Sequence, residues 1–377
     1  MSQGPGFILT VLSFLLVIGP LVFLHELGHY LAGRAFGVKS DAFSIGFGPE
    51  LFGWTDRLGT RWRVAALPLG GYVKFAGDMN PASTPSAEWL RLPAEERALT
   101  FQAKPLWQRF LIVAAGPVTN LMIAILIFIG FFAFLGEPRT PPVVAEIAPA
   151  SAAAEIGLRA GDRIVSVDAQ PIERFEDIAA IVSNRANQRL PLRIEREGRM
   201  VDLVAVPHAD VLRDRFGNEF HRGLLGIRPG ERVNVALGPV ETVIAAFRHT
   251  ADVIRLMVET IWQVVSGQRS VKELGGPLKI AQFSGQQATL GWLPMLEFIA
   301  MISINLGFMN LLPIPLLDGG HLFFYALEGI RRRPLPEAAQ EWAFRSGLAV
   351  LLSFMIFVTL NDLGSLGLWQ RLAGLIG

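Results

Sequence analysis

His25 and His29 lie four residues apart, with Glu26 directly after the first, in the stretch LVFLHELGHYLAG from Leu21 to Gly33. On a helix that spacing puts both imidazoles on one face about one turn apart. There both can reach one zinc ion at about 2.0–2.1 Å. Glu26 is placed to reach a water activated by that ion without binding the ion itself. Zinc lowers the pKa of such a water towards about 7, and a neighbouring carboxylate can take its proton as it attacks an amide carbon, then pass the proton to the leaving nitrogen. The run ahead of these residues is apolar and uncharged. An ionisable group at the centre of a membrane helix costs on the order of 2.5–3.5 kcal/mol on insertion scales, and metal ligation gives a reason for the placement.

A catalytic tetrahedral zinc uses three protein ligands and keeps one position open. The third is expected from NLLPIPLLDGGH, Asn310 to His321. Pro313 and Pro315 remove backbone donors and break a helix, and Gly319 with Gly320 allows a tight turn. Irregular backbone at membrane depth is tolerated where it lines a polar cavity. Asp318 is the expected third ligand of a single zinc ion. His321 and Glu297 are the alternatives, with His321 read as lying behind the ligands or facing solvent.

These residues need apolar elements to carry them, and the composition supplies them. Of 377 residues 51% are hydrophobic and only 18% charged, below the usual quarter of a soluble protein. Four spans are expected: Phe7 to Leu24 and onward through the histidines, Phe110 to Leu135, Met295 to Leu317, and Trp342 to Leu360. The first is expected to stay as a span, since it lacks the basic start and small-residue cleavage site of a signal peptide. Lysines and arginines crowd the stretch from Arg34 to Arg109 and recur at Arg331 to Arg333, while the C-terminal tail holds only Arg371. The positive-inside rule then places both basic loops in the cytoplasm and the region from about Gly136 to Leu290 outside. A net charge of +1 gives no field that would gather nucleic acid. The absence of cysteine excludes disulfides, thiolate metal sites and a cysteine nucleophile.

After a stiff linker at Pro138 to Pro142 the pattern changes to short strands and turns. A strand, a short helix, a Gly-Asp turn and a second strand are expected through Ile172. FEDIAAIVSNRA then reads as a helix, and a hairpin turns at Glu197 and Gly198. Beyond it, GPVETVIAAFRHTADVIRLMVETIWQVVSG has apolar residues at helical spacing interleaved with Glu241, Arg248, Asp252, Arg255 and Glu259. Such charge argues for an amphipathic helix on the membrane surface or packed on the enzyme body.

The phrase IGLRAGDRI, Ile156 to Ile164, resembles PDZ domains of the type appended to bacterial proteases. That likeness implies a domain holding an extended peptide at a sheet edge, with Val143 to Ile147 the candidate edge. HELGH and NLLPIPLLDG together resemble the site-2 proteases, intramembrane zinc metalloproteases. The likeness runs on through FSIGFGP, PLGGYVKFAGD and AAGPVTN, and is greatest to the bacterial branch that includes the regulator of sigma-E protease, here with a single PDZ domain. It implies that His25, His29 and Asp318 are the zinc ligands and Glu26 the general base. It also implies that Asn310 holds the substrate backbone or stabilises the developing oxyanion. The Gly46 and Gly48 turn and the strands of Trp62 to Phe75 map onto β structure that dips into the membrane. Implied substrates are single-span membrane proteins such as anti-sigma factors and remnant signal peptides, and the implied setting is the bacterial inner membrane.

The expected architecture is therefore a polytopic α-helical membrane protein with four transmembrane helices, a membrane-associated β region and an inserted extracytoplasmic PDZ (α+β) domain. Its segments are an N-terminal membrane core at 1–135, the PDZ domain at 140–210, an amphipathic connector at 211–290 and a C-terminal membrane core at 291–377. Expected partners are transmembrane substrates, a peptide or substrate segment at the PDZ domain, and membrane lipid. Prenyl-protein peptidases also use H-E-x-x-H but take a glutamate as third ligand. A non-enzymatic PDZ scaffold with a structural metal would need four protein ligands, and a metal transporter would need a second polar array across the spans.

Overall fold

The computed structural model describes residues 6–77, 89–183, 185–213, 219–267 and 275–365. Arg371 and the Asp78 that closes PLGGYVKFAGD lie outside them. Two compact units emerge, one within Met1–Phe128, Phe247–Leu256 and Val271–Gly377, the other within Ile129–Ala246 and Met257–Ser270.

The first unit opens with α1 (Phe7–Ala35), which runs unbroken through both histidines. Val17 and Leu21 are buried, whereas Phe7, Ile8, Leu12 and Leu16 are exposed. A helix of this length with an exposed apolar face suits hydrocarbon, where every backbone group must be satisfied internally. Strands β1 (Ser40–Thr55) and β2 (Arg61–Phe75) follow. Their register folds each into two segments. Phe43 pairs with both Trp62 and Val73, and Ser44 with both Arg63 and Tyr72, while Trp54 pairs with Trp62 from the far side. The result is a four-segment antiparallel sheet with Gly71–Phe75 along one outer edge. Leu51, Phe52 and Trp54 leave apolar surface exposed on it. A short α2 (Ala94–Ala98) leads to α3 (Leu106–Leu135).

In the second unit the strands are β3 (Glu137–Arg139), β4 (Val144–Ile147), β5 (Arg163–Val167), β6 (Gln170–Pro171), β7 (Leu190–Arg196), β8 (Arg199–Ala205), β9 (His208–Arg213), β10 (Glu219–Leu224), β11 (Ile227–Pro229) and β12 (Val233–Val235), with helices α4 (Ala152–Glu155) and α5 (Phe175–Ser183) between them. An antiparallel sheet of order β6-β5-β7-β8 carries the core. Along β7, Leu190, Leu192 and Ile194 face inward and are fully buried, the period of two that a one-sided sheet requires. The β7–β8 hairpin turns at Glu197 (φ +50°) and Gly198 (φ +75°), the positive φ pair of a type I′ turn whose twist matches the strands. Buried Asp162 accepts from Arg196 Nε at 2.7 Å and from the Arg159 amide at 2.7 Å. Burial alone would push this carboxyl up, but the hydrogen bonds from Arg196 and Arg159 hold it below the usual carboxylate range.

Val143–Ile147, read from sequence as the candidate edge, is paired with a strand along one side and bonded at its start on the other. β11 runs antiparallel to β4, with Ile227 opposite Ile147. On the other side the Val144 amide donates to the Asp162 carbonyl at 2.9 Å and its carbonyl accepts from Gly161 at 2.8 Å. The folded unit therefore continues past 210: Leu225 is buried with Val144 and Ile164 in one core, and β12 returns to pair with β3. Sequence alternation could not reveal these pairings, because they join segments far apart in the chain.

α6 (Pro239–Val265) is as long as a span but is broken up by its charges, and contributes to both units. α7 (Pro277–Leu290), which the apolar pattern did not single out, packs against α1. Its first turn is held by buried Asp362, which accepts from the Gly276 amide at 3.0 Å, satisfying a donor that a helix start leaves open. The unit closes with α8 (Trp292–Leu311), α9 (Asp318–Arg331) and α10 (Glu337–Ser365). Among the described residues four helices are long and apolar enough to cross a membrane: α1, α3, α8 and, within α10, Ala338–Leu363. The third ends at Leu311 rather than Leu317, because Pro313 and Pro315 cannot continue it and a new helix starts at Asp318.

Candidate active site

α1 presents His25 and His29 on one face, and both rings are buried. Their Nε2 atoms lie 3.2 Å apart. After the break at Pro313 and Pro315 the chain turns through Leu316, whose φ of +82° is rare for a side chain of this kind. Asp318 follows as the first residue of α9. The turn is tight enough that a Cβ on Gly320 would meet the Ile314 carbonyl oxygen at 2.5 Å. Asp318 Oδ2 comes to 3.1 Å from His25 Nε2 and its Oδ1 to 3.5 Å from His29 Nε2. His25, His29 and Asp318 thus form one cluster of potential ligand atoms.

Chemistry argues for a cation at this point. His29 Nδ1 donates to the Ile112 carbonyl at 2.9 Å, so its proton sits on Nδ1 and Nε2 points a lone pair into the cluster. Two imidazole nitrogens and a carboxylate converging on one point are a donor set that zinc takes, and the Nε2 lone pair of His29 would face an ion held there. The separations are of the right size: ligand atoms at zinc distances on a tetrahedron are about 3.3 Å apart, and the contacts among the three side chains, made through both carboxylate oxygens, are 3.1–3.5 Å.

Glu26 stands beside the cluster and outside it. The backbone amide of Val73 hydrogen-bonds to it, and a Cβ on Gly71 would come within 2.9 Å of its Cγ. The sheet edge therefore approaches the carboxylate closely because residue 71 has no side chain. A cavity of about 600 Å³ takes in His25, Glu26, His29, Gly71, Asn310 and Asp318. Asn310, on the last turn of α8, is half-buried on this wall. The alternatives fall away from the ligand set: Glu297 is exposed on α8, and His321 lines the cavity with its ring 4.9 Å from that of Phe344.

Two residues of α3 at the site had no role assigned from sequence. Gly116 faces His29, and a Cβ there would collide with the Nε2 and Cε1 atoms of its ring. Asn120, one turn on, is buried with its side-chain amide 3.3 Å from His25 Nδ1. The available signal was an asparagine four residues after a glycine inside an otherwise apolar span, where a polar side chain is costly. Gly116→Ala is expected to displace the His29 ring and lower bound zinc and activity together. Metal content of the purified variant checks this, and wild-type content would show that the ring can step aside.

Two buried histidines on a helix of membrane length, meeting a half-buried aspartate beside a glutamate, are the arrangement of a membrane metallopeptidase. The chain belongs to peptidase family M50, whose model matches residues 13–354. It is 45% identical over 361 residues to Atu1380 of Agrobacterium fabrum, which bears a zinc-metalloprotease name, covering 94% of this chain and 96% of that protein. R01501 of Rhizobium meliloti, similarly named, is 45% identical over 359 residues, with 94% and 96% covered. Metalloprotease MmpA of Caulobacter vibrioides is 37% identical over 400 residues, with 98% and 99% covered. The PDZ domain of an SdrC-like protein from Listeria monocytogenes overlaps 23% of this chain and 84% of its own at 16% identity, with a TM-score of 0.19, too low to define a fold.

Proposed function

We propose that His25, His29 and Asp318 hold one zinc ion and that the enzyme hydrolyses peptide bonds within or near the transmembrane segments of single-span membrane proteins. The observation that carries this is the convergence of the three ligand side chains beside Glu26, with both histidines on the membrane-length helix α1. When bound, zinc supplies a Lewis acid that polarises the scissile carbonyl and makes water a nucleophile near neutral pH. Glu26 accepts the proton of that water and delivers it to the leaving nitrogen. Asn310 offers an amide donor to the oxygen that becomes negative. Gly71–Phe75 receives the substrate: a helix in lipid hides its own peptide bonds, and once locally unwound its freed backbone groups can pair with that outer strand.

Substrates are anti-sigma factors, remnant signal peptides and other proteins with one helix-destabilised span. The setting is the bacterial inner membrane, with the basic loops cytoplasmic and the second unit outside, a reading supported by the distribution of lysine and arginine. The second unit acts as a PDZ-like peptide holder. With β11 along one side of β4 and Val143–Val144 bonded on the other, the edge proposed for a peptide is the outer side of β11, which has no further strand partner among the described residues. A scaffold with a structural zinc would need a fourth protein ligand, and the described cluster has three.

The test is a reconstituted assay on a single-span substrate carrying a helix-destabilised segment. Cleavage in or near the span, lost with a zinc chelator and restored by added zinc, is the expected result. Turnover that persists in the chelator would overturn the metal mechanism.

A further inference from the structure

We propose that Asn120 is the residue that positions His25 for zinc, by accepting the proton on His25 Nδ1. The proposal rests on the zinc site argued above and adds to it a group outside the ligand set.

His29 has a main-chain acceptor for its Nδ1 proton, the Ile112 carbonyl. His25 needs the equivalent. Its Nε2 faces Asp318 Oδ2 and His29 Nε2, so coordination through that atom puts the ring proton on Nδ1, where it requires an acceptor. The group at hand is the Asn120 amide, whose Nδ2 is placed 3.3 Å from Nδ1 while its Oδ1 is buried without a hydrogen-bond partner. An amide nitrogen cannot accept, and a half-turn about χ2 exchanges the two ends of the amide. After the exchange Oδ1 accepts from His25 and is no longer orphaned, while Nδ2 takes the position that Oδ1 held. Asn120 is only 1% exposed, so water does not readily replace it. Its main-chain carbonyl accepts separately from Ser303 Oγ at 2.7 Å, a link between α3 and α8 that survives any change of side chain. The two zinc-binding histidines are thus fixed by different kinds of acceptor, and only that of His25 is open to substitution.

The experiment compares the full-length enzyme with Asn120→Leu and Asn120→Asp in detergent, measuring zinc affinity by chelator competition. Asn120→Leu fills a similar volume without an acceptor and is expected to bind zinc about 10–100-fold more weakly. Asn120→Asp restores an acceptor and is expected to bind much more tightly than the leucine variant. A purely packing role gives the opposite order, since leucine would be tolerated and a buried carboxylate would not. Wild-type affinity in Asn120→Leu, or weaker binding in Asn120→Asp than in Asn120→Leu, overturns the proposal. Should the leucine variant not fold, nitrogen-15 spectra of ring-labelled histidines in the zinc-loaded wild type decide: a protonated Nδ1 on His25 is expected, and a bare Nδ1 overturns it. Zinc absent from the wild type defeats the metal site itself, whereas tight wild-type binding with an indifferent Asn120→Leu defeats only the role of Asn120.

Discussion

Glu26→Gln is expected to keep its zinc and lose two to four orders of magnitude in cleavage rate, the usual contribution of a positioned general base. The substitution preserves shape and keeps an oxygen that can accept from the Val73 amide, the hydrogen bond the carboxylate makes. It removes the ability to take a proton. Because Glu26 stands outside the His25, His29 and Asp318 cluster, metal content should not change. Turnover and zinc stoichiometry measured on one preparation separate the two effects. Normal turnover would sink the proton-transfer role, and lost zinc would move Glu26 into the ligand set.

Asp318→Ala should show the complementary pattern, losing metal and activity together. The carboxylate contacts both imidazoles, at 3.1 Å and 3.5 Å, so its removal leaves two neutral nitrogens for the ion. Loss of an outer partner of a ligand already costs 10–100-fold in metal affinity, so loss of a ligand itself should cost about 100-fold or more. Chelator competition reads the difference. Unchanged affinity would return the third position to His321 or Glu297, and of these only His321 lines the cavity.

What the sequence could carry followed from locality. His25, Glu26 and His29 share one helix, so their spacing alone sets their relative placement. The break at Pro313 and Pro315 is likewise written into residue types that cannot continue a helix, and Asp318 was legible because it follows that break. The Glu197 and Gly198 turn was readable for the same reason. Gly116 and Asn120 had no meaning until α3 was laid against α1, since what they do depends on the ring each faces. Nor did alternation along Val143–Ile147 reveal that a strand from beyond 220 would occupy one of its sides. The helix at Pro277–Leu290 escaped because its apolar residues make only a weak stripe and its first turn depends on Asp362, far along the chain.

The proposed ligands are split across the chain: two come from α1 and the third from beyond the Pro-rich break that follows α8. During synthesis the histidines enter the bilayer long before Asp318 leaves the ribosome. A nascent chain therefore holds an incomplete ligand set while its early helices insert among other unassembled membrane proteins. On the proposed ligand set, order of translation would keep the hydrolase inert until α9 has been made.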